Sequence, residues 1–176
     1  MKLLALLLAT ATLALSAQDA SLGIQAHGTL PTSDLKTLSN GEIGLGVAAF
    51  VAIPLENGLV LRPLVGFQHF PNSTTLSLTD TKTAASSVDF MMEGLWFPGG
   101  DPERGPYLLG AMGGQQWHIN ASSTVPVALS VTRLGLSGGL GYESGFNLGI
   151  EMKVFWSPVS STLTATGLSL GATVKF

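Results

Sequence analysis

The chain has 176 residues and a formal net charge of -3, and only 11% of its residues are charged. So small an imbalance gives no reason to expect a nucleic-acid partner, and the absence of cysteine excludes a disulfide framework and a thiolate metal site. Hydrophobic residues make up 45% and the mean hydropathy is +0.41, high for a water-soluble protein.

The first element is "MKLLALLLATATLALSAQDA". One positive charge at Lys2 is followed by an apolar stretch from Leu3 to Leu15 and small residues at Ser16 and Ala17. This order predicts a secretory signal peptide over residues 1–17, cut near Ala17–Gln18. The apolar stretch is shorter than the roughly 20 residues a membrane-spanning helix needs. Residues 18–176 then form one domain.

Beyond the signal the apolar residues alternate. In "EIGLGVAAFVAIPL", Ile43, Leu45, Val47, Ala49, Val51, Ile53 and Leu55 fall on one parity. In "FNLGIEMKVFW", Phe146, Leu148, Ile150, Met152, Val154 and Trp156 lie opposite Asn147, Gly149, Glu151, Lys153 and Phe155. Successive strand side chains point to opposite faces, so each set makes one apolar strand face, which a helix would not do. Eight such segments are predicted, near 21–30, 42–55, 59–70, 86–97, 107–119, 131–143, 146–156 and 166–176.

Membrane strands need roughly 9–11 residues, whereas soluble strands are nearer 5–6. The connections also alternate. "ENG", "PGGDPERGP" and "ESGFN" are dense in turn formers, while "PTSDLKTLSNG", "PNSTTLSLTDTKTA", "NASSTVPVA" and "SPVSSTLTAT" are looser and polar. Short turns at one end and polar loops at the other are the layout of an outer-membrane barrel. An even strand number lets the first and last strands close on each other, leaving no unpaired edge in hydrocarbon. The prediction is therefore an all-β, closed, eight-stranded antiparallel up-and-down transmembrane barrel. A soluble β-sandwich also alternates, but it does not account for the long strands, sparse charge and aromatics near strand ends. Trp96, Tyr107, Trp117, Tyr142, Phe146 and Trp156 are read as a girdle at the lipid headgroups.

With the apolar faces toward lipid, the other parity faces the lumen. It carries Arg62, Asp89, Glu93, Arg133, Glu143, Glu151, Lys153 and Lys175. Buried charge is costly unless paired, so these residues are expected to form a salt-bridged network, centred on Arg62, Glu93, Glu151 and Lys153, that fills the lumen. Glycines on the same parity, with Gly110 and Gly114 counted among them, and apolar residues such as Phe50, Met91, Leu95 and Phe155 leave open a partly apolar cavity instead.

The ending "LSLGATVKF", with Leu168, Leu170, Ala172, Val174 and Phe176 alternating to a terminal aromatic, resembles the C-terminal insertion signal of outer-membrane proteins. "GPYLLGAMGG" and "RLGLSGGLGYESG" also resemble phrases of the small eight-stranded barrels, the group of the OmpA transmembrane domain, OmpX and OmpW. The resemblance implies an outer-membrane location and a monomer. Its implied partners are outer-membrane lipid, lipopolysaccharide, the assembly machinery and periplasmic chaperones. No cell-wall-binding domain is expected after the barrel.

The role so implied is structural or surface-exposed, without catalysis. The alternative is a narrow channel or binder for small hydrophobic solutes, as in OmpW-like proteins, and a lipid A-modifying enzyme comes third. Three scattered histidines, His27, His69 and His118, show neither metal-ligand spacing nor a nucleophile phrase such as G-x-S-x-G. No cofactor or metal is expected.

Overall fold

The computed structural model describes residues 20–74, 82–122 and 127–176, so the predicted signal segment lies outside the described residues. Eight strands form: β1 (Ser21–Thr32), β2 (Gly44–Pro54), β3 (Leu59–Thr74), β4 (Lys82–Trp96), β5 (Gly105–Ser122), β6 (Val127–Glu143), β7 (Leu148–Pro158) and β8 (Thr164–Lys175). They pair in sequence order, and β8 returns to β1, closing the barrel. The closing register sets Gly23 against Lys175 and Thr32 against Thr166. At the end of that seam the Phe176 N–H donates to the Leu22 carbonyl at 2.8 Å. The terminal segment is thus a hydrogen-bonded wall strand, as its alternation predicts.

The tight turns share one end of the barrel with both ends of the strand series. Asn57 (φ 59°) and Gly58 (φ 71°) adopt the left-handed conformation that a two-residue hairpin turn needs, which Asn and Gly tolerate best. At this turn end Phe97 folds inward. Its N–H donates to the Gly58 carbonyl at 2.8 Å, and its ring packs 4.8 Å from that of Tyr107.

The loop end holds an element that sequence reading assigned to a loose polar connection. Residues Ser33–Leu38 form a short helix, α1, with Leu35 as its buried residue. The Gly41 N–H donates to the Lys36 carbonyl at 2.8 Å, and Gly41 at φ 76° turns the chain out of the helix toward β2. Asp34 Oδ2 accepts from the Thr164 N–H at 2.9 Å, which ties α1 to the start of β8. The helix lays Leu35 across the barrel mouth as a lid.

Two apolar clusters therefore occupy the lumen. Leu35, Phe70, Trp117, Ile119, Phe155 and Val159 lie near the loop end, and Phe50, Val60, Leu95, Phe97, Tyr107 and Leu109 near the turn end. The polar layer lies between them.

Candidate functional site: a closed ion ring in the lumen

Register places the charges. Arg62 on β3 lies directly opposite Glu93 on β4, both pointing inward. Glu151 and Lys153 are two residues apart on β7, hence on one face. In an eight-stranded ring closed in sequence order, β3 and β7 are diametrically opposed. Interactions between these two walls cross the whole lumen.

They form a ring. Arg62 Nη1 lies 2.5 Å from Glu151 Oε1, and Arg62 Nε donates to Glu93 Oε2 at 2.5 Å. Lys153 Nζ lies 3.0 Å from Glu93 Oε1 and 3.2 Å from Glu151 Oε2. Each carboxylate gives one oxygen to the guanidinium and the other to the ammonium, so two cations and two anions alternate. Gln25 on β1 donates to Glu151 Oε2 at 2.5 Å and accepts from Lys153 at 3.2 Å. The Tyr107 hydroxyl donates to Glu151 Oε1 at 2.7 Å, and the Arg62 guanidinium lies 4.9 Å from the centre of the Phe50 ring. Glu93 and Glu151 are each 1% exposed and Arg62 is 3% exposed. Buried ions are tolerated when geometry and extra hydrogen bonds offset desolvation, and this arrangement supplies both.

The other charged residues named from the sequence do not join this ring. Lys175 and Glu143 pair separately at 3.2 Å nearer the turn end. Asp89 accepts from Gln115 Nε2 at 3.1 Å and has no ion-pair partner among the described residues. Arg133 is exposed beyond the start of the β6–β7 pairing, where its Nε donates to the Val159 carbonyl at 3.2 Å. It pins β6 to the β7–β8 connection rather than filling the lumen.

Two girdle residues are corrected by the structure. Tyr107 (1% exposed) and Trp117 (0%) point inward, not toward lipid. Trp117 sits between Phe70 and Phe155, each ring centre 6.5 Å away, and its Nε1 donates to Ser157 Oγ at 3.2 Å. The inward parity of β5 is Tyr107, Leu109, Gln115, Trp117 and Ile119, so Gly110, counted as inward from the sequence, faces outward and Gly114 shares its parity. Both faces of β5 are apolar because one meets lipid and the other fills the lumen. Alternation there does not say which is which.

Trp96, Tyr142, Phe146 and Trp156 are exposed on the outer surface. Between strand ends the outward positions carry residues such as Leu22, Ile24, Leu45, Val47, Phe67, Met112, Leu140, Ile150, Val154 and Leu170, all at least 40% exposed. Within the β-pairing from the Trp96 row to the His69 row, no Asp, Glu, Lys or Arg of the described residues lies on this outward parity. One register row, His69, Ser86 and His118, then marks a change to polar side chains. From Leu108, beside Trp96, to His118 there are ten residue steps along β5. At about 3.3 Å per step and a tilt of about 40°, that is roughly 25 Å, the height of an outer-membrane barrel's apolar band. The C-terminal row of Leu168, Leu170, Ala172 and Phe176 lies on the same exposed outer surface, with Val174 partly covered.

No protein-family profile and no curated protein matches the chain. Solved structures do. Ail, the attachment invasion locus protein of Yersinia pestis, superposes with a TM-score of 0.61 at 16% identity, covering 89% of this chain and 97% of that one. The N-terminal β-barrel domain of OprF from Pseudomonas aeruginosa gives 0.60 at 15% identity, covering 89% and 97%. A major outer membrane protein from Thermus thermophilus gives 0.59 at 14% identity, covering 90% and 100%. At these identities the similarity is one of fold: the chain has the fold of the small outer-membrane barrels.

Proposed function

We propose that this chain is an integral, monomeric outer-membrane barrel of a diderm bacterium, with a structural or surface-exposed role and a sealed lumen. The observation that carries the reading is the Arg62–Glu93–Lys153–Glu151 ring, which joins opposite walls across the lumen. Its partners are outer-membrane lipid and lipopolysaccharide, met by the apolar exterior, and during biogenesis the assembly machinery and periplasmic chaperones.

The channel or solute-binder reading has less support. The lumen cavity beside the ion ring is about 60 Å³, whereas ligand pockets are typically on the order of 300–1,000 Å³. The enzyme reading also lacks its parts. His69 and His118 flank Ser86 in register, but no Asp or Glu of the described residues shares their outward face to orient either imidazole.

Proteoliposomes test the sealed lumen. Vesicles holding the refolded barrel should swell in an iso-osmotic small sugar no faster than protein-free vesicles. Swelling that scales with barrel content would overturn the proposal.

A further inference from the structure

The α1 lid is held far more lightly than the wall it covers. Leu35 is its one buried residue, and it packs into the cluster of Phe70, Trp117, Phe155 and Val159. Those four belong to β3, β5, β7 and the connection after β7, so the barrel wall sets the socket and α1 supplies what fills it. Among the described residues, the polar ties from α1 to the wall are two. The Asp34 carboxylate accepts from the Thr164 N–H at 2.9 Å, and an isolated bridge joins Ser33 to Ala165.

Both ends of α1 turn on left-handed residues. Ser33 enters the helix at φ 52°, and Asn40 and Gly41 leave it at φ 53° and φ 76°. Serine does not favour that region and stays there only where its surroundings hold it. Thr32, at the N-cap, makes no side-chain hydrogen bond to the helix. A helix this short is marginal without tertiary contacts. We infer that α1 is a hinged lid with the Asp34–Thr164 contact as its latch. It swings as a unit on Ser33 and on Asn40–Gly41, withdraws Leu35, and opens the chamber around Trp117 to small neutral solutes while the wall strands stay paired. Segments with few buried apolar contacts open locally at lower cost than the whole fold. The inference concerns this outer chamber alone and stands whether or not the ion ring below it conducts.

Tryptophan fluorescence of the full, refolded barrel tests this. Replacing Trp96 and Trp156, both exposed on the outer surface, by phenylalanine leaves Trp117 as the one reporter among the three tryptophans. Quenching by acrylamide, a small neutral solute, should rise several-fold in Asp34→Ala, with the compact, heat-modifiable gel band kept. Asp34→Asn retains an acceptor oxygen and should stay near the unaltered value. Amide exchange in the unaltered protein gives a check that needs no variant. The Thr164 N–H should exchange together with the Ser39 N–H, which donates to the Leu35 carbonyl at 2.9 Å, and both should run several-fold ahead of the N–H groups paired between β7 and β8. Unchanged quenching in Asp34→Ala would overturn the inference, and so would equal quenching in Asp34→Ala and Asp34→Asn. Loss of the compact band in Asp34→Ala would also overturn it, since α1 would then be part of the wall's own fold. Exchange at Thr164 as slow as in the β7–β8 wall would do the same.

Discussion

Replacing Glu151 by alanine lowers the unfolding free energy of the barrel by about 3–5 kcal/mol, because it removes one partner of a buried ion network and leaves the others uncompensated. The expected loss is large because Glu151 is the most connected group in the lumen. It faces Arg62 at 2.5 Å and Lys153 at 3.2 Å, and it accepts from Gln25 at 2.5 Å and Tyr107 at 2.7 Å. Urea titration of the refolded protein in lipid, followed by the loss of the compact gel band, measures it. A double replacement, Arg62→Met with Glu151→Met, keeps the charge balanced and leaves Lys153 with Glu93. It should therefore lie well above the single variant, since a well-packed apolar pair often matches a buried ion pair. If Glu151→Ala stays within about 0.5 kcal/mol of the unaltered barrel, the size expected of an ordinary surface substitution, the ring is hydrated and the lumen is not sealed there.

Trp117→Ala is the second large effect, expected at about 3–5 kcal/mol, the range for emptying a buried aromatic site. Trp117 is 0% exposed between Phe70 and Phe155, beneath the α1 lid. The same substitution at Trp96, which is 47% exposed on the outer surface, should cost less because lipid refills the space. The comparison by urea titration discriminates an interior from a girdle position: equal costs would return Trp117 to the lipid interface. Because the ion ring lies beyond the vacated space, Trp117→Ala should weaken the barrel without making it conduct.

Much of the fold was legible because the barrel is built from period-two strands. In β2, β7 and β8 one parity is mostly apolar and the other mostly small or polar, with Phe50 and Phe155 the large apolar exceptions on the inward side, so the lipid and lumen faces separate. The inward placement of Arg62, Glu93, Glu151 and Lys153 followed from the same parity. That these four would meet was named from the sequence, and they do; how they pair was not legible, because contact across the lumen depends on register accumulated around the whole ring. Gln25 and Tyr107 were missed as ring partners for that reason. The only local signal was a polar Gln on the inward parity of β1. The faces of β5 were read the wrong way round because Tyr107, Leu109, Trp117 and Ile119 are as apolar as Leu108 and Met112 opposite them. The α1 lid was missed because a single inward Leu35 in a polar stretch has no periodicity to announce it.

A sealed lumen is tested most directly by single-channel recording of the refolded, full barrel in a planar bilayer. A flat trace is expected for the unaltered protein and for Trp117→Ala. A steady, reproducible opening of the unaltered protein at moderate voltage would contradict a lumen closed by the Arg62–Glu93–Lys153–Glu151 ring.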